Sequence, residues 1–596
     1  MRNIHLRYAN ERYDAHGVLS AFSVQCDENY NFAYDVVDDI ANAEPRRPAM
    51  VWCNPEGEEH LFSFGDLKHW SDKTAQYLME VGVKRGDRVL VILRRHYQFW
   101  FVALALHKIG AVLVPATFML KEHDLSYRIN SAGISTIICT DVGTIAQTVD
   151  NVLPQCPTLE RRILVHGSGG GLTPAQSVAK EGLGSGLSGP EGLCKRAVSR
   201  PGWLDFNSGA RAASSNFARC VTKATDPMIM YFSSGTSGNP KMALHDSRYS
   251  LGHLGTAKHW QNVKSDGGLH FTIADTGWGK AVWGKLYGQF LMEACVLTYD
   301  FDRFVAADIL ELIARYHVTT LCCPPTMYRM FLQCDLAAYD LSALGYSVCA
   351  GEALNPDLFE TWRELTGLTL MDGFGQTETP LTVANTRNMI PKPGSMGRPL
   401  PLYETRILAE DGTECEVGKS GEICIAYDPN NPPPGIMIEY YRDVQKTAAA
   451  IHDGWYHSGD VAWRDEDGYF YFVGRNDDVI KSSGYRISPF EIESVLLTHP
   501  AVSECAVTGV PDELRGTAVK ATVVLARGYE AHEEMTNELQ SFMKRETAPY
   551  KYPRFINYVD ALPKTVNGKV RRAVIRTADE QGSAAAALRA PEEFGG

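Results

Sequence analysis

The sequence lacks an excess of positive charge, which bounds the partners that it can have. Its 71 Asp and Glu residues outnumber its 58 Lys and Arg residues, so the formal net charge is −13. General nucleic-acid binding needs a basic surface that neutralises phosphates. We therefore predict that nucleic acid is not a partner.

Long apolar runs and regularly spaced cysteines are also missing. The best apolar stretches, 99–106 and 111–116, are too short to cross a bilayer, and the first 17 residues contain no apolar signal core. None of the 14 cysteines forms a C-x-x-C pair, so the spacing indicates neither a zinc site nor a disulfide framework. These absences predict a cytoplasmic protein without a membrane span, although a short organelle-targeting arm stays open as an alternative. We also expect a monomer or a homodimer.

What is present is a strand and helix rhythm in a chain of 596 residues, too long for one core. Strands and helices alternate over 34–145 and 270–383, which predicts parallel sheets covered by helices. Short β-runs over 399–473 predict a β subdomain. We predict an α/β fold with an N-terminal domain over 1–475, a Gly/Ser-rich insertion at about 166–199, and a small mobile α+β domain over 476–596.

One stretch combines glycine, hydroxyl and lysine in the manner of a phosphate-binding loop. The segment SSGTSGNPK, residues 233–241, follows the apolar run 228–232. Small residues let the backbone approach an anion, and a lysine adds a point charge. The Walker pattern is excluded, because Pro240 precedes the lysine and Met242 stands where Ser or Thr is required. Taken alone, the segment fits a flexible turn equally well.

Four further stretches follow in order along the chain. They are AGEALN at 350–355, DGFGQTET at 372–379, the charged run 455–493, and LPKTVNGKV at 562–570. The first two follow strands, where ligand loops of α/β sheets lie. Each acidic residue taken alone fits a helix cap or a solvated charge, so the order of the stretches carries the interpretation.

In this order and at these separations, the five stretches resemble the adenylate-forming enzymes, most closely medium-chain acyl-CoA synthetases and their acetyl-CoA synthetase relatives. The likeness covers about 31–576. It implies three substrates, namely ATP, coenzyme A and a small carboxylic acid, together with Mg²⁺. The products are acyl-CoA, AMP and pyrophosphate, formed through an acyl-adenylate.

The resemblance also implies an ATP site. The loop would hold the phosphates through Ser233, Ser234, Gly235, Thr236, Ser237, Gly238 and Lys241. The adenine would lie between Gly351, Glu352, Ala353 and Leu354 on one side and Asp372, Gly373, Phe374, Gly375 and Gln376 on the other. Thr377 would bind the α-phosphate, Glu378 would hold Mg²⁺, and Asp460 with Arg475 would bind the ribose. Thr236, Glu378 and Lys569 are the implied catalytic residues.

A domain rotation between the two steps is implied as well. Lys569, on a short loop, would stabilise charge during adenylation and then withdraw, with Asp477 as the hinge. The segment 481–486, especially Ser483, Gly484, Tyr485 and Arg486, would then reach the pantetheine tunnel. Candidate partners for the phosphates of coenzyme A are Arg486, Arg515, Lys551 and Arg554.

The acyl group is the least determined part. Acetate-restricted relatives carry a tryptophan at the position of Gly375, so glycine there predicts room for medium-length, branched or aromatic acids. Core packing is the favoured role of Trp278 and Trp283. Alternatives stay open: loading of a separate carrier protein, luciferase-like oxidation, or a catalytically silent adenylate-binding protein.

Overall fold

The computed structural model describes residues 3–167, 193–194, 196–233, 240–482, 485–512, 516–548, 551–564, 570–580 and 588–589. The chain divides into two compact units. The first comprises Met1–Ser234, Pro240–Thr405 and Ala426–Tyr456, and the second comprises Gly235–Asn239, Arg406–Ile425 and His457–Gly596. The predicted α/β fold is confirmed, whereas the functional boundary after residue 475 stays a prediction.

The first unit contains an eight-stranded sheet. Its strands, in spatial order, are Glu439–Tyr440, Lys241–Asp246, Pro227–Ser233, Val112–Pro115, Arg88–Ile92, Thr136–Thr140, Arg161–Val165 and Leu204–Asp205. The strands from Pro227–Ser233 onward pair in parallel, while Lys241–Asp246 turns back antiparallel. Helices at Phe64–Glu80, Gln98–Ile109, Glu122–Ala132, Ile145–Val152 and Phe206–Ala212 connect these strands.

A nine-stranded sheet forms the other half of the first unit. Its spatial order is Arg398–Pro399, Leu381–Ala384, Leu370–Gly375, Tyr346–Ala350, Thr320–Cys323, Leu269–Thr272, Cys295–Tyr299, Pro48–Cys53 and Glu59–Ser63. The strands from Leu370–Gly375 to Pro48–Cys53 run parallel. The helices around it are Tyr249–Leu254, Gly279–Lys285, Tyr287–Leu291, Ala306–Arg315, Pro325–Phe331 and Pro356–Thr366.

The helix Gln98–Ile109 lies at the centre of the first unit, and all of its residues are buried. Its one interior cation, Lys108, donates to Asp38 at 2.8 Å and Asp72 at 2.5 Å. A buried charge is tolerated only when it is paired in this way. The helix Phe64–Glu80 begins with a capping box between Ser63 and Asp66, which explains why its start can be predicted from the sequence.

In the described residues, the second unit contains mainly antiparallel strand pairs, one parallel pair between Gly516–Leu525 and Phe555–Tyr558, and three helices. Trp455–Arg464 pairs with Phe470–Arg475, and Ile480–Ser482 pairs with Tyr485–Ile487. A four-stranded sheet follows in the order Val502–Asp512, Gly516–Leu525, Phe555–Tyr558 and Leu588–Arg589. Its helices are Pro489–Leu496, Glu533–Glu546 and Arg572–Glu580. Arg572 forms a bidentate pair with the buried Glu493, which ties the last helix to the first.

The remaining elements are short. They are the hairpin Ala9–Tyr13 and Leu19–Val24, the strands Thr405–Leu408, Gly421–Ala426 and Ile451–His452, the helix segments Asp39–Ala43 and Val444–Ala450, the π-helical turns Ala33–Asp38 and Gly255–Trp260, and the 3₁₀ turns Ile4–Arg7, Leu153–Gln155 and Leu336–Ala338. Within the described residues, no helix is both long and apolar enough to cross a bilayer.

Two sequence-based expectations need correction. The sequence predicts one aromatic-rich helix that contains Trp278, Trp283 and Tyr287, but the backbone of Leu286 leaves helical geometry and separates Gly279–Lys285 from Tyr287–Leu291. The sequence also predicts that the insertion at 166–199 lies on the surface, but Leu193 and Cys194 are buried in the main core. Residues 168–192 and 195 of that insertion lie outside the described part of the chain.

Candidate active site

The phosphate-loop candidate connects two antiparallel strands of the first unit. Strands Pro227–Ser233 and Lys241–Asp246 pair antiparallel, and Ser233 opposite Lys241 is the last pair before the turn. The Nζ atom of Lys241 lies 4.9 Å from the centroid of the Tyr440 ring. The turn residues Ser234, Gly235, Thr236, Ser237 and Gly238 lie outside the described residues.

Glu378 contacts the base of this hairpin. Its Oε1 atom accepts a hydrogen bond from the hydroxyl of Ser233 at 2.8 Å and another from Tyr440 at 3.0 Å. The side chain is buried, and no described residue donates to its Oε2 atom. A buried carboxylate oxygen that the described residues leave available suits a hard cation such as Mg²⁺, which is usually held by one or two carboxylates and by substrate phosphates.

Two loops leave neighbouring parallel strands beside this carboxylate. Tyr346–Ala350 and Leu370–Gly375 pair with Ala350 opposite Gly373, so residues 351–353 and 376–377 follow strand ends of the same sheet. The carboxyl ends of parallel strands are where α/β sheets bind ligands. Gly351 has a φ of +98°, which glycine adopts without strain. The structure therefore groups Gly351, Glu352, Ala353, Asp372, Gly373, Phe374, Gly375, Gln376 and Thr377 in one region of the first unit.

Hydrogen bonds with residues of other elements hold these loops in place. The Oε2 atom of Glu352 accepts from the hydroxyl of Thr326 at 2.6 Å. The hydroxyl of Tyr456 donates to Gln376 at 2.6 Å, and the carbonyl of Thr377 lies 2.9 Å from Nε2 of His245. Burial lowers the pKa of His245 to about 4, so the ring is neutral and Nε2 is the donor.

Asp372 is a buried acid in the strand Leu370–Gly375, which leads into the second loop. Burial raises its pKa to about 8, and the backbone N–H of Gly373 donates to its Oδ1 atom at 2.8 Å. The thiol of Cys349 lies 3.7 Å from the same oxygen. The carboxyl group is therefore mostly protonated at neutral pH and can donate a hydrogen bond.

The open volume predicted beside Gly375 is not present. A Cβ atom built there would lie 2.6 Å from Cη2 of Trp283 and 2.4 Å from the carbonyl oxygen of Pro380. The indole of Trp283 is held by a hydrogen bond from Nε1 to the hydroxyl of Tyr249 at 3.1 Å. The ring of Trp283 therefore takes the space that the glycine leaves, a contact that residue spacing alone does not reveal.

The ribose candidates lie together in the second unit. Asp460 is buried and stands opposite Arg475 in the pairing of Trp455–Arg464 with Phe470–Arg475. Nε of Arg475 lies 3.4 Å from Oδ1 of Asp460 and 3.9 Å from Oδ1 of Asp477. The arginine thus connects the proposed ribose acceptor to the proposed hinge residue.

The remaining candidates are only partly described. Ser483, Gly484, Arg515 and Lys569 lie outside the described residues, and the side chains of Tyr485 and Arg486 are not described. The segment that contains Lys569 is bracketed by an antiparallel bridge between Lys564 and Val570.

The coenzyme candidates Lys551 and Arg554 have protein partners. Lys551 pairs with Glu491 at 2.5 Å, and Arg554 donates to the hydroxyl of Tyr552 at 2.7 Å. Sequence reasoning missed three residues that orient the loops of the first unit, namely Tyr440, His245 and Tyr456. All three lie on strands far from the loops in sequence, so no local signal marks them.

Two family models match the chain. The model described as "AMP-binding enzyme" matches residues 37–441, and the model described as "AMP-binding enzyme C-terminal domain" matches residues 491–569. The chain belongs to the AMP-binding enzyme family. Members of the family with similar sequences include acyl-coenzyme A synthetase ACSM4, mitochondrial, from Homo sapiens, 39% identical over 93% of this chain and 91% of the relative. ACSM3, mitochondrial, from Pongo abelii is 38% identical over 93% and 90% of the two chains.

Solved structures of the family agree with the fold. The anthranilate CoA ligase AuaEII in complex with anthranoyl-AMP has a TM-score of 0.80 and 25% identity, over 94% of this chain and 99% of the other. A benzoate CoA ligase from Burkholderia xenovorans LB400 has a TM-score of 0.74 and 25% identity, over 92% and 100%. The resemblance that the motifs indicated is therefore confirmed.

Proposed function

We propose that this protein is an AMP-forming acyl-CoA synthetase. The observation that carries the proposal is the position of Glu378. Its carboxylate accepts from Ser233 at the base of the hairpin, and Glu378 follows the end of the strand Leu370–Gly375. The names of the similar proteins support the same activity, since they are acyl-coenzyme A synthetases and CoA ligases.

In the first step, a carboxylate oxygen of the acid bonds to the α-phosphorus of ATP, and pyrophosphate leaves. The hairpin turn with Thr236 and Lys241 would bind the β- and γ-phosphates. Mg²⁺ held by Glu378 would neutralise phosphate charge as the P–O bond breaks. Asp460 and Arg475 would orient the ribose, and Lys569 would stabilise the negative charge that develops around the α-phosphate.

In the second step, the sulfur of coenzyme A bonds to the acyl carbonyl carbon and AMP leaves. The thiol proton passes to solvent or to a phosphate oxygen of the departing AMP. Residues 481–486 and Arg515 would lie along the path of coenzyme A, where Gly484 presents no side chain to obstruct a narrow channel. Lys551 and Arg554 would exchange their protein partners for the phosphates of the coenzyme.

The acid that we propose is of medium length, branched or aromatic. The ring of Trp283 beside Gly375 sets the limit of the acyl pocket in that direction, with Tyr249 as its anchor. Flat aromatic rings suit an indole wall, because offset or edge contacts between rings are favourable. The relatives named for anthranilate and benzoate support this class.

The decisive measurement is pyrophosphate release with acids from acetate to decanoate, benzoate and 2-methylbutyrate, with and without coenzyme A. We expect acyl-CoA, detected by mass spectrometry, with at least one acid of the proposed class. Adenylate formation that persists while coenzyme A is never acylated would favour loading of a separate carrier protein. Absence of AMP with every acid would leave only a silent adenylate-binding protein.

We propose that the protein is located in the cytoplasm. The names of its relatives give the mitochondrion as the alternative location. The names of ACSM3 and ACSM4 include the word mitochondrial. Fractionation of cells that express the full chain, with immunodetection in cytosol and mitochondria, distinguishes the two locations. Gel filtration of the same protein decides between monomer and homodimer.

A further inference from the structure

Three metal-ligating side chains converge in the second unit, and the proposed reaction does not use them. Glu422 and Cys424 are two residues apart on the strand Gly421–Ala426, so their side chains project from one face. His457 comes from the neighbouring strand Trp455–Arg464. One ligand atom from each of the three residues lies within 4.8 Å of the others.

The two separations from His457 are close to those around a tetrahedral ion. Nδ1 of His457 lies 3.0 Å from Oε2 of Glu422 and 3.4 Å from Sγ of Cys424. Zinc bonds of roughly 2.1 Å to nitrogen and oxygen and 2.3 Å to sulfur, at tetrahedral angles, require separations of about 3.4 Å and 3.6 Å. The observed values fall short by only a few tenths of an ångström, which small side-chain rotations remove.

The carboxylate is already oriented for this role. Oε1 of Glu422 accepts the backbone N–H of Gly459 at 2.7 Å, which leaves Oε2 directed at the histidine. A second hydrogen bond that fixes a ligating carboxylate is the usual support of a metal site. Nitrogen, thiolate and carboxylate donors together select zinc rather than Mg²⁺ or Ca²⁺, which prefer oxygen alone.

We propose that Glu422, Cys424 and His457 bind one Zn²⁺ ion, with a fourth position for solvent. The side chains of His457 and Glu422 are 19% and 23% exposed, so an ion can enter from the surface. The spacing of cysteines in the sequence does not indicate this site, because only one of its three ligands is a cysteine and His457 comes from another strand.

Occupancy has a structural consequence near the ribose candidate. His457 and Gly459 precede Asp460 on one strand, and the ion would clamp that strand to Gly421–Ala426. Binding carries a cost, because burial raises the pKa of the Cys424 thiol and its proton must be displaced. The clamp should therefore raise thermal stability in proportion to zinc occupancy, as any ligand of the native state does.

The test uses the full chain, freed of metal by a chelator and titrated with Co²⁺ and with Zn²⁺. We expect one equivalent of Co²⁺ to give the near-ultraviolet charge-transfer band of a Co²⁺–thiolate bond, and Zn²⁺ to displace it. Cys424→Ser should abolish the band and weaken Zn²⁺ binding by at least roughly tenfold. Calorimetry measures the affinity, and the Tm of the apo protein should rise with Zn²⁺ only when Cys424 is present.

Cys505→Ser is the matched control. Cys505 is also a buried thiol of the second unit, but its Sγ lies 3.6 Å from the carbonyl of Glu493 and outside the cluster. This variant should keep the band and the affinity. Glu422→Gln, which preserves shape, should weaken binding without removing the band. A wild-type protein without the thiolate band, or equal loss in Cys505→Ser and Cys424→Ser, overturns the proposal.

Discussion

At the scale of single residues, burial determines what each acid of the first unit can do. Glu378 accepts hydrogen bonds from the hydroxyls of Ser233 and Tyr440 at 2.8 and 3.0 Å. Asp372 lies on the strand Leu370–Gly375, which precedes Glu378 in the chain. Its pKa is raised because burial outweighs its backbone hydrogen bond. Two acids six residues apart thus have different surroundings: Glu378 accepts two hydroxyl hydrogen bonds, and Asp372 is a neutral donor.

The substitution Glu378→Gln tests the anion. It keeps the size and the acceptor for Ser233 and Tyr440 but removes the charge that would hold Mg²⁺. We expect ATP–pyrophosphate exchange to fall by roughly a hundredfold or more, as when a group that stabilises transition-state charge is removed, with excess Mg²⁺ restoring little of it. Tyr440→Phe is the control, since it removes one hydrogen bond and keeps the carboxylate. If that variant loses as much activity, positioning rather than charge explains the effect.

The substitution Asp372→Asn tests the neutral acid through pH. The folded state loses its proton at about pH 8 and the unfolded chain at the ordinary value of 3.8. Between these values only the unfolded state has released the proton, so this group lowers stability as pH rises, and the loss levels off above pH 8. Asparagine cannot ionise, so the Tm of the variant relative to wild type should be higher at pH 8 than at pH 5. A pH-independent difference between the two proteins contradicts the raised pKa.

At the scale of elements, the candidate site depends on which strands are neighbours. Tyr346–Ala350 and Leu370–Gly375 pair in parallel, so their loops leave the sheet at one edge. The antiparallel return from Pro227–Ser233 to Lys241–Asp246 makes a hairpin whose base reaches Glu378 through one hydroxyl. Neighbouring strands therefore position loops that are more than a hundred residues apart in sequence.

Trp283→Ala tests the element that limits the acyl pocket. Removing the indole opens the volume beside Gly375, so kcat/KM should rise for acids larger than the wild-type optimum and fall for smaller ones. A change of about tenfold or more corresponds to the value of one or two methylenes in an apolar pocket. Tyr249→Phe keeps the indole but removes the hydroxyl that accepts from Nε1 of Trp283, so it should shift the preference less. Unchanged relative rates across the acid series would place the acyl group elsewhere.

Much of the element plan is predictable from the sequence, and the exceptions have physical causes. The helices Phe64–Glu80 and Pro356–Thr366 have start signals, namely the capping box at Ser63 and an Asn cap followed by proline, and the sequence pattern predicts both helices with these bounds. The break at Leu286 has no such signal, because tertiary packing sets it. The contact of Trp283 with Gly375 joins two elements that the sequence keeps 92 positions apart.

At the scale of the whole molecule, the proposed chemistry is divided between the two units. Glu378 and the strand-end loops belong to the first, whereas Asp460, Arg475 and the segment of Lys569 belong to the second. In the proposed mechanism, Lys569 acts in the first step and residues 483–486 act in the second. The two half-reactions should then respond to different substitutions.

Lys569→Ala and Gly484→Leu separate these half-reactions. We expect Lys569→Ala to lower pyrophosphate exchange by roughly a hundredfold or more, as for the loss of a transition-state charge partner, while thioester formation from supplied acyl-adenylate is largely retained. Gly484→Leu should impair the thioester step by steric obstruction and leave exchange intact. Lys564→Ala is the matched control, because Lys564 belongs to the same LPKTVNGKV stretch and forms a partly exposed pair with Glu504 at 2.7 Å. Since each half-reaction is measured without the other, equal loss of both in either variant would refute the division of labour.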